Sequence, residues 1–348
     1  MNSNCIGETS LVYYTVEEEQ KIIKQGRITL VISILLLITI LFTFFRVSIN
    51  PFQFFIVKTG NHIRINLFYI CLIFGTIALI YAHIEPFMMS ILRFKFESKR
   101  TCFSNIKIAH LSDLHVHYPY PQVTYKRLLK IVNLLNKEEP DIVVITGDLM
   151  SDDHRFSKHD ILTIKNAFKK LNSHLFVCLG NHDVQCKDKL INELGEIGAK
   201  VLVQETVEFL VKGKKIYISG LKPSLSLKET EENLNELKEM FTGDKNVPHI
   251  LLAHMPDAAD AASKLRMFDL QLSGHSHGGQ CVLPFKAGTP FLPPGSIKYH
   301  GCAISNYLVG NMILHVSRGV GETPLPYPLI RFLCPPEISI LTLIPNTC

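Results

Sequence analysis

The chain opens on a polar segment and then runs from Ile28 to Phe45 (ITLVISILLLITILFTFF) without a single charge. Those 18 residues are the minimum that predicts a membrane-spanning helix. A second apolar run, Ile65 to Ile84, is interrupted strongly only by Asn66 and His83 and predicts a second span. Arg27 and Arg46 bracket the first run and Arg64 precedes the second. A cleaved signal peptide fits poorly, because the first run is long, starts late and lacks a small-residue cleavage site. Lys21, Lys24 and Arg27 lie before the first span, and Arg93, Lys95, Lys99 and Arg100 follow the second. With Arg46, Lys58 and Arg64 between them, the positive-inside bias is thin. It places the amino terminus and everything beyond residue 100 in the cytoplasm, on a multi-pass protein of the inner (cytoplasmic) membrane.

From about Asn105 the texture changes to short apolar runs alternating with amphipathic stretches. Strands are predicted at Ile106–Leu111, Asp141–Thr146, Leu175–Leu179, Lys214–Ser219, His249–Ala253 and Leu270–Ser273. Helical spacing marks Val123–Lys137, Ile161–Leu171 and Glu229–Met240, the last read as a solvated helix with one core face rather than a lid over a site. Strands alternating with helices imply an α/β fold, in which ligands gather past the carboxyl ends of strands. Two units follow: an anchor over residues 1–100 and a globular domain over residues 101–348.

Composition changes this picture little. The hydrophobic fraction is 47%, with the excess in the first hundred residues, and the formal charge of +5 suits an anionic membrane surface or a phosphate substrate. No dense basic patch with interleaved aromatics is present, so a nucleic-acid partner is not expected. Nothing points to a protein partner either. Nine cysteines in irregular spacing, without a CxxC pair, argue against a disulfide framework and for a reducing compartment.

The chemistry sits where the predicted strands end. In order come Asp113-Leu114-His115, Gly147-Asp148, Gly180-Asn181-His182-Asp183, Ala253-His254 and Gly274-His275-Ser276-His277. Five motifs at strand ends converge in an α/β fold although they span about 165 residues of chain. Imidazole and oxygen donors suit Mn, Fe, Zn or Mg, and an Asp carboxylate can bridge two ions. Two such cations side by side acidify a water and clamp phosphoryl oxygens during in-line displacement. His117, His249, His300 and His315 match none of these positions and are read as structural. Asp183 is read as a helix cap or as an orienter of His182.

The series D-x-H, G-D, G-N-H-D, H and G-H-x-H resembles the calcineurin-like metallophosphoesterase superfamily over roughly Asn105 to Ile344. The resemblance implies a four-layer α/β/β/α sandwich and two divalent metal ions. It implies that Asp113, His115 and His277 hold one ion, that Asn181, His254 and His275 hold the other, and that Asp148 bridges them. It gives His182 the role of general acid beside the leaving group. Phosphoprotein phosphatases of the superfamily extend the second motif to G-D-x-x-D-R-G. Here it reads Gly147-Asp148-Leu149-Met150-Ser151-Asp152, so protein dephosphorylation is disfavoured unless Asp152 takes the missing place.

The runs Gly274–Gln280 into Leu283-Pro284, Ser317-Arg318-Gly319-Val320-Gly321, and Pro335-Pro336-Glu337-Ile338 resemble a narrower branch. It comprises membrane-associated phosphodiesterases typified by YaeI and YkuE and includes the LpxG-type UDP-2,3-diacylglucosamine pyrophosphatase. Arg318 is there a candidate phosphate clamp or one half of a structural ion pair. The branch implies hydrolysis of UDP-2,3-diacylglucosamine to the acylated sugar 1-phosphate and UMP, a step of lipid A biosynthesis, with Phe285, Phe291 and Leu292 as a candidate apolar rim or as core. The alternatives are a broader membrane phosphodiesterase acting on another lipid-linked or nucleotide phosphoester, and a non-catalytic metal-loaded scaffold.

Overall fold

The computed structural model describes residues 58–59, 62–63, 67–98, 105–116, 123–151, 158–282, 289, 292–301, 305–323 and 330–345. The first apolar run, His117, Asp152, Phe285 and Phe291 lie outside them. The second apolar run folds as helix α1, Leu67–Ile84. Among the described residues no helix is long and apolar enough to cross a membrane, so the two-span anchor is not confirmed. Ile73, Ile77, Leu79, Ile80 and Ile84 on α1 are nevertheless exposed.

Strand β1 (Ser90–Ser98) follows, and it already belongs to the main sheet. The folded domain therefore begins upstream of the boundary expected at residue 101. Next come β2 (Ile106–Leu111), α2 (Tyr125–Glu138), β3 (Ile142–Thr146), α3 (Lys158–Phe168), β4 (His174–Cys178), α4 (Lys187–Gly195) and β5 (Lys200–Leu202). The second half contributes β6 (Glu205–Val211), β7 (Lys214–Gly220), α5 (Leu227–Met240), β8 (His249–Leu252), α6 (Ala259–Leu265), β9 (Leu270–Ser273), β10 (Asn306–Val309), β11 (Met312–Val316) and β12 (Glu337–Pro345).

Two mixed six-stranded sheets result. One runs β1-β12-β2-β3-β4-β5, parallel except where β12 meets β2. The other runs β10-β11-β9-β8-β7-β6, parallel through its centre with antiparallel edges. Their inner faces meet in one apolar layer built from Ile108, Ile142, Val144 and Leu341 against Ile216, Ile218, Ile250 and Leu272. Helices α2, α3 and α4 cover the outer face of the first sheet, and α5 and α6 that of the second. The layers thus stack as helix, sheet, sheet and helix.

Local sequence explains these elements. Thr124 caps α2 by accepting from the Arg127 backbone N–H at 3.2 Å. The helix then buries Leu128, Ile131, Val132 and Leu135, one stripe at helical spacing, and ends at Glu139 in the left-handed region before Pro140. Strand β3 is buried at every position, which is why it reads as an unbroken apolar run. Helix α5, capped by Ser226, buries Thr230, Asn233, Leu234 and Leu237 and leaves its other face to solvent, as expected of a one-sided core helix.

Candidate dinuclear metal centre

The carboxyl ends of β2, β3, β4, β8 and β9 deliver the five motifs to one place. Ligand atoms of Asp113, His115 and His277 lie within 4.8 Å of one another, and so do those of Asp148, His254 and His275. All six side chains are buried. Asp148 Oδ2 stands 3.1 Å from His254 Nε2 and 3.7 Å from His115 Nε2, so this carboxylate faces both groups. Its other oxygen accepts the His182 backbone N–H at 3.0 Å.

The backbone is bent to make this possible. Asp113, His115, Asp148, His275 and His277 all adopt positive φ, between 47° and 67°. Each costs about 1–2 kcal/mol for a residue with a Cβ. Backbone bonds from Asp113 N to Gly147 O and from His115 N to Asp148 O, both 3.0 Å, hold the strained turns against each other. Gly147, at φ 85°, needs its conformational freedom. Gly180 is different, because its backbone is extended. It must be glycine because a Cβ there would overlap Asp148.

The donor set fits divalent cations. His254 Nδ1 donates to the Thr146 carbonyl at 2.7 Å, and His275 Nε2 donates to the Pro294 carbonyl at 2.8 Å. In the neutral rings these bonds leave lone pairs on His254 Nε2 and His275 Nδ1, which face each other at 3.2 Å. Two lone pairs at that distance repel unless positive charge lies between them. His115 Nε2 and His277 Nε2 meet similarly at 3.1 Å. The Asn181 carbonyl oxygen is buried and accepts no hydrogen bond.

Electrostatics point the same way. Burial lowers the pKa of His115 to about 3 and that of His275 to about 4, so both rings are neutral and able to bind metal at pH 7. Burial also works against a charge on His254, but the Asp148 carboxylate outweighs it and raises that ring to about 9. The field at His254 therefore favours a cation. Asp148 in turn is held well below the usual carboxylate range by His254, His182 and His115 in spite of its burial.

Residues 106–279 match the family model for calcineurin-like phosphoesterases. The chain belongs to that family. It is 31% identical over 247 residues to the uncharacterised metallophosphoesterase YkuE of Bacillus subtilis, covering 69% of this chain and 80% of that one. It is 26% identical over 270 residues to phosphodiesterase YaeI of Escherichia coli, covering 75% and 90%. It is 25% identical over 308 residues to the UDP-2,3-diacylglucosamine pyrophosphatase LpxG of Chlamydia muridarum, covering 74% and 90%. The chain is accordingly a hydrolase of the metallophosphoesterase class, with two clusters suited to two divalent ions.

The remaining residues of interest fall in and around this site. The His182 ring centroid lies 5.3 Å from that of His115, at the edge of the first cluster. Asp183 is fully buried and accepts backbone N–H groups from Gly180, Leu149 and Met150 at 2.9, 3.2 and 3.0 Å. It ties the second and third motifs together through their backbones. Arg318 lies with its stem against Gly278, its Nε donating to Gly301 O at 3.3 Å and standing 3.6 Å from Glu337. His249 and His315 sit elsewhere in the interior, 2.7 Å from Ser219 Oγ and 2.9 Å from Ser339 Oγ. Cys178, Cys186, Cys281 and Cys334 are free thiols. Sequence reasoning missed Thr146 and Pro294, which act through carbonyls and carry no side-chain signal.

Proposed function

We propose that this phosphoesterase is held at the cytoplasmic face of a membrane by the apolar runs that precede β1 and cleaves the pyrophosphate of a lipid-linked sugar nucleotide. The leading substrate is UDP-2,3-diacylglucosamine, giving 2,3-diacylglucosamine 1-phosphate and UMP. The observation that carries the reaction class is the pair of three-residue clusters with Asp148 facing both. Asp113, His115 and His277 would hold one cation; Asn181, His254 and His275 the other; and Asp148 would bridge them. The cations supply Lewis acidity and an acidified water. The strained loops position the donors, and Thr146 and Pro294 set the two imidazole tautomers. His182, beside His115, donates the proton that the leaving oxygen needs. Arg318, partly exposed next to Gly278, is proposed as the phosphate contact.

Support for the lipid-linked substrate comes from the similarity to LpxG and from the apolar surface of α1. A YaeI-like phosphodiesterase of broader specificity is supported by similarity at comparable identity. Purified protein with Mn or Mg and the diacylated sugar nucleotide should release UMP. Turnover of a chromogenic phosphodiester without UMP release would favour the broader reading. Replacing His182 with Ala should lower turnover about 10²–10⁴-fold with both cations still bound. Undiminished turnover in that variant removes His182 as the acid, and a cellular role that survives loss of turnover points to a scaffold.

A further inference from the structure

Arg331 heads the largest fully buried side chains and holds a charge where burial is costly. Its guanidinium is spent almost entirely on backbone. Nη2 donates to the carbonyls of Arg318, Gly319 and Gly321 at 2.9, 3.4 and 2.6 Å, Nη1 donates to Cys334 O at 3.0 Å, and Nε lies 3.3 Å from Glu322 Oε1. Three of those carbonyls belong to one turn, and that turn is pressed on Asp113. Val320 N donates to Ser112 O at 2.9 Å and Gly321 N to Asp113 O at 2.7 Å. A Cβ at Gly319 would stand 2.8 Å from the Asp113 Cβ, so turn and ligand are in close contact.

The segment that carries Arg331 grips the other arm of the same cluster. Cys334 Sγ donates to His277 O at 3.2 Å, and Phe332 N donates to Gln280 O at 3.0 Å. Its far side meets α1. Arg331 N donates to Ala82 O at 3.1 Å, and the Tyr81 and Phe332 rings pack edge to face at 5.9 Å. A planar fork of five donors matches carbonyls converging from several directions, and an ammonium does not.

We propose that Arg331 is a positioning residue for the cation site formed by Asp113, His115 and His277, and that it fastens the carboxyl end of α1 to that site. This rests on the two-cation reading of the centre. The test uses the full chain in detergent, with Mn binding followed by equilibrium dialysis and by electron paramagnetic resonance of the bound ion. The parent should bind two ions. Arg331→Lys should weaken one of them about 10–100-fold and leave the other unchanged. Glu322→Gln, which removes the guanidinium's carboxylate partner, should weaken the same ion and serves if Arg331→Lys does not fold. Leu237→Ala, a buried position in α5 that offers no donor atom to the site, controls for lost stability and should keep both ions. A parent that binds no Mn overturns the centre itself. A parent with two ions, and Arg331→Lys or Glu322→Gln binding both as tightly or losing both equally, overturns the role of Arg331 alone.

Discussion

Replacing Gly180 with Ala should disable the centre without altering any donor atom. The backbone there is extended (φ −97°, ψ 179°), so alanine meets no conformational penalty. The obstacle is space, because the new methyl would overlap Asp148 Oδ1 and its backbone N and lie 2.7 Å from Cγ. Real Cβ atoms essentially never approach a heavy atom closer than 3.0 Å, so something must shift. Rotating the Asp148 carboxylate relieves only part of the overlap, because the Asp148 backbone N is met as well, so the two loops must also move apart and carry Asp148 with them. Overpacking of this kind costs about 1–3 kcal/mol of stability. The functional effect is larger: metal donors tolerate ~0.2 Å, and a misplacement of about 1 Å costs ~100-fold in rate. The assay is metal content per chain after dialysis, kcat/KM on a chromogenic phosphodiester, and thermal unfolding. Gly195→Ala is the control, since that residue ends α4 with nothing near its new methyl. It should gain about 0.4–1 kcal/mol with activity unchanged. Gly180→Ala with two ions bound and a rate within about threefold of the parent, under ~0.7 kcal/mol in barrier, would refute the steric argument.

Further expectations concern metal, backbone and pH. Exhaustive chelation should abolish turnover and lower the melting temperature, and added Mn should restore both; turnover that survives chelation contradicts a metal-dependent centre. Asp183→Ala leaves three buried N–H groups without their acceptor and should cost about 3 kcal/mol in urea unfolding, whereas a change below ~1 kcal/mol would mean that water replaces the carboxylate. Burial, with Arg318 nearby, lowers the His315 pKa to about 3, while an unfolded histidine titrates near ~6.5. Between those values the unfolded chain binds one more proton than the folded one. Stability should therefore fall as pH drops below ~6.5, by about 1.4 kcal/mol per pH unit from this group, and be unaffected by it above. Urea midpoints of metal-free parent and His315→Gln should show a shallower pH slope in the variant, and equal slopes would refute the assignment.

Much of the scaffold was legible because burial writes itself locally. Strands β2, β3, β4, β7, β8 and β9 were placed within about a residue, since a parallel strand covered on both faces is an apolar run with sharp ends. The motifs at those ends, with Gly147, Gly180 and Gly274 beside them, announced a metal centre because few other uses exist for so many imidazoles and carboxylates at strand termini. Strand β12 is another matter. It inserts between β1 and β2, partners separated from it by more than 200 residues, and nothing in its own pattern names them. The same holds for β1, which reads as a charged tail of the anchor yet pairs along its full length with β12.

Side-chain chemistry was set by the order of residues; its geometry was decided by the fold. Which atoms can bind a cation follows from Asp, Asn and His at their positions. Which imidazole nitrogen keeps a lone pair for a cation depends on carbonyls at Thr146 and Pro294, delivered by other strands and loops. Arg331 looks like any surface arginine along the chain and becomes a buried brace only when three loop carbonyls close around it. Periodicity records how much of one segment meets water. Backbone partners and long-range register arise between segments, so only the folded molecule holds them.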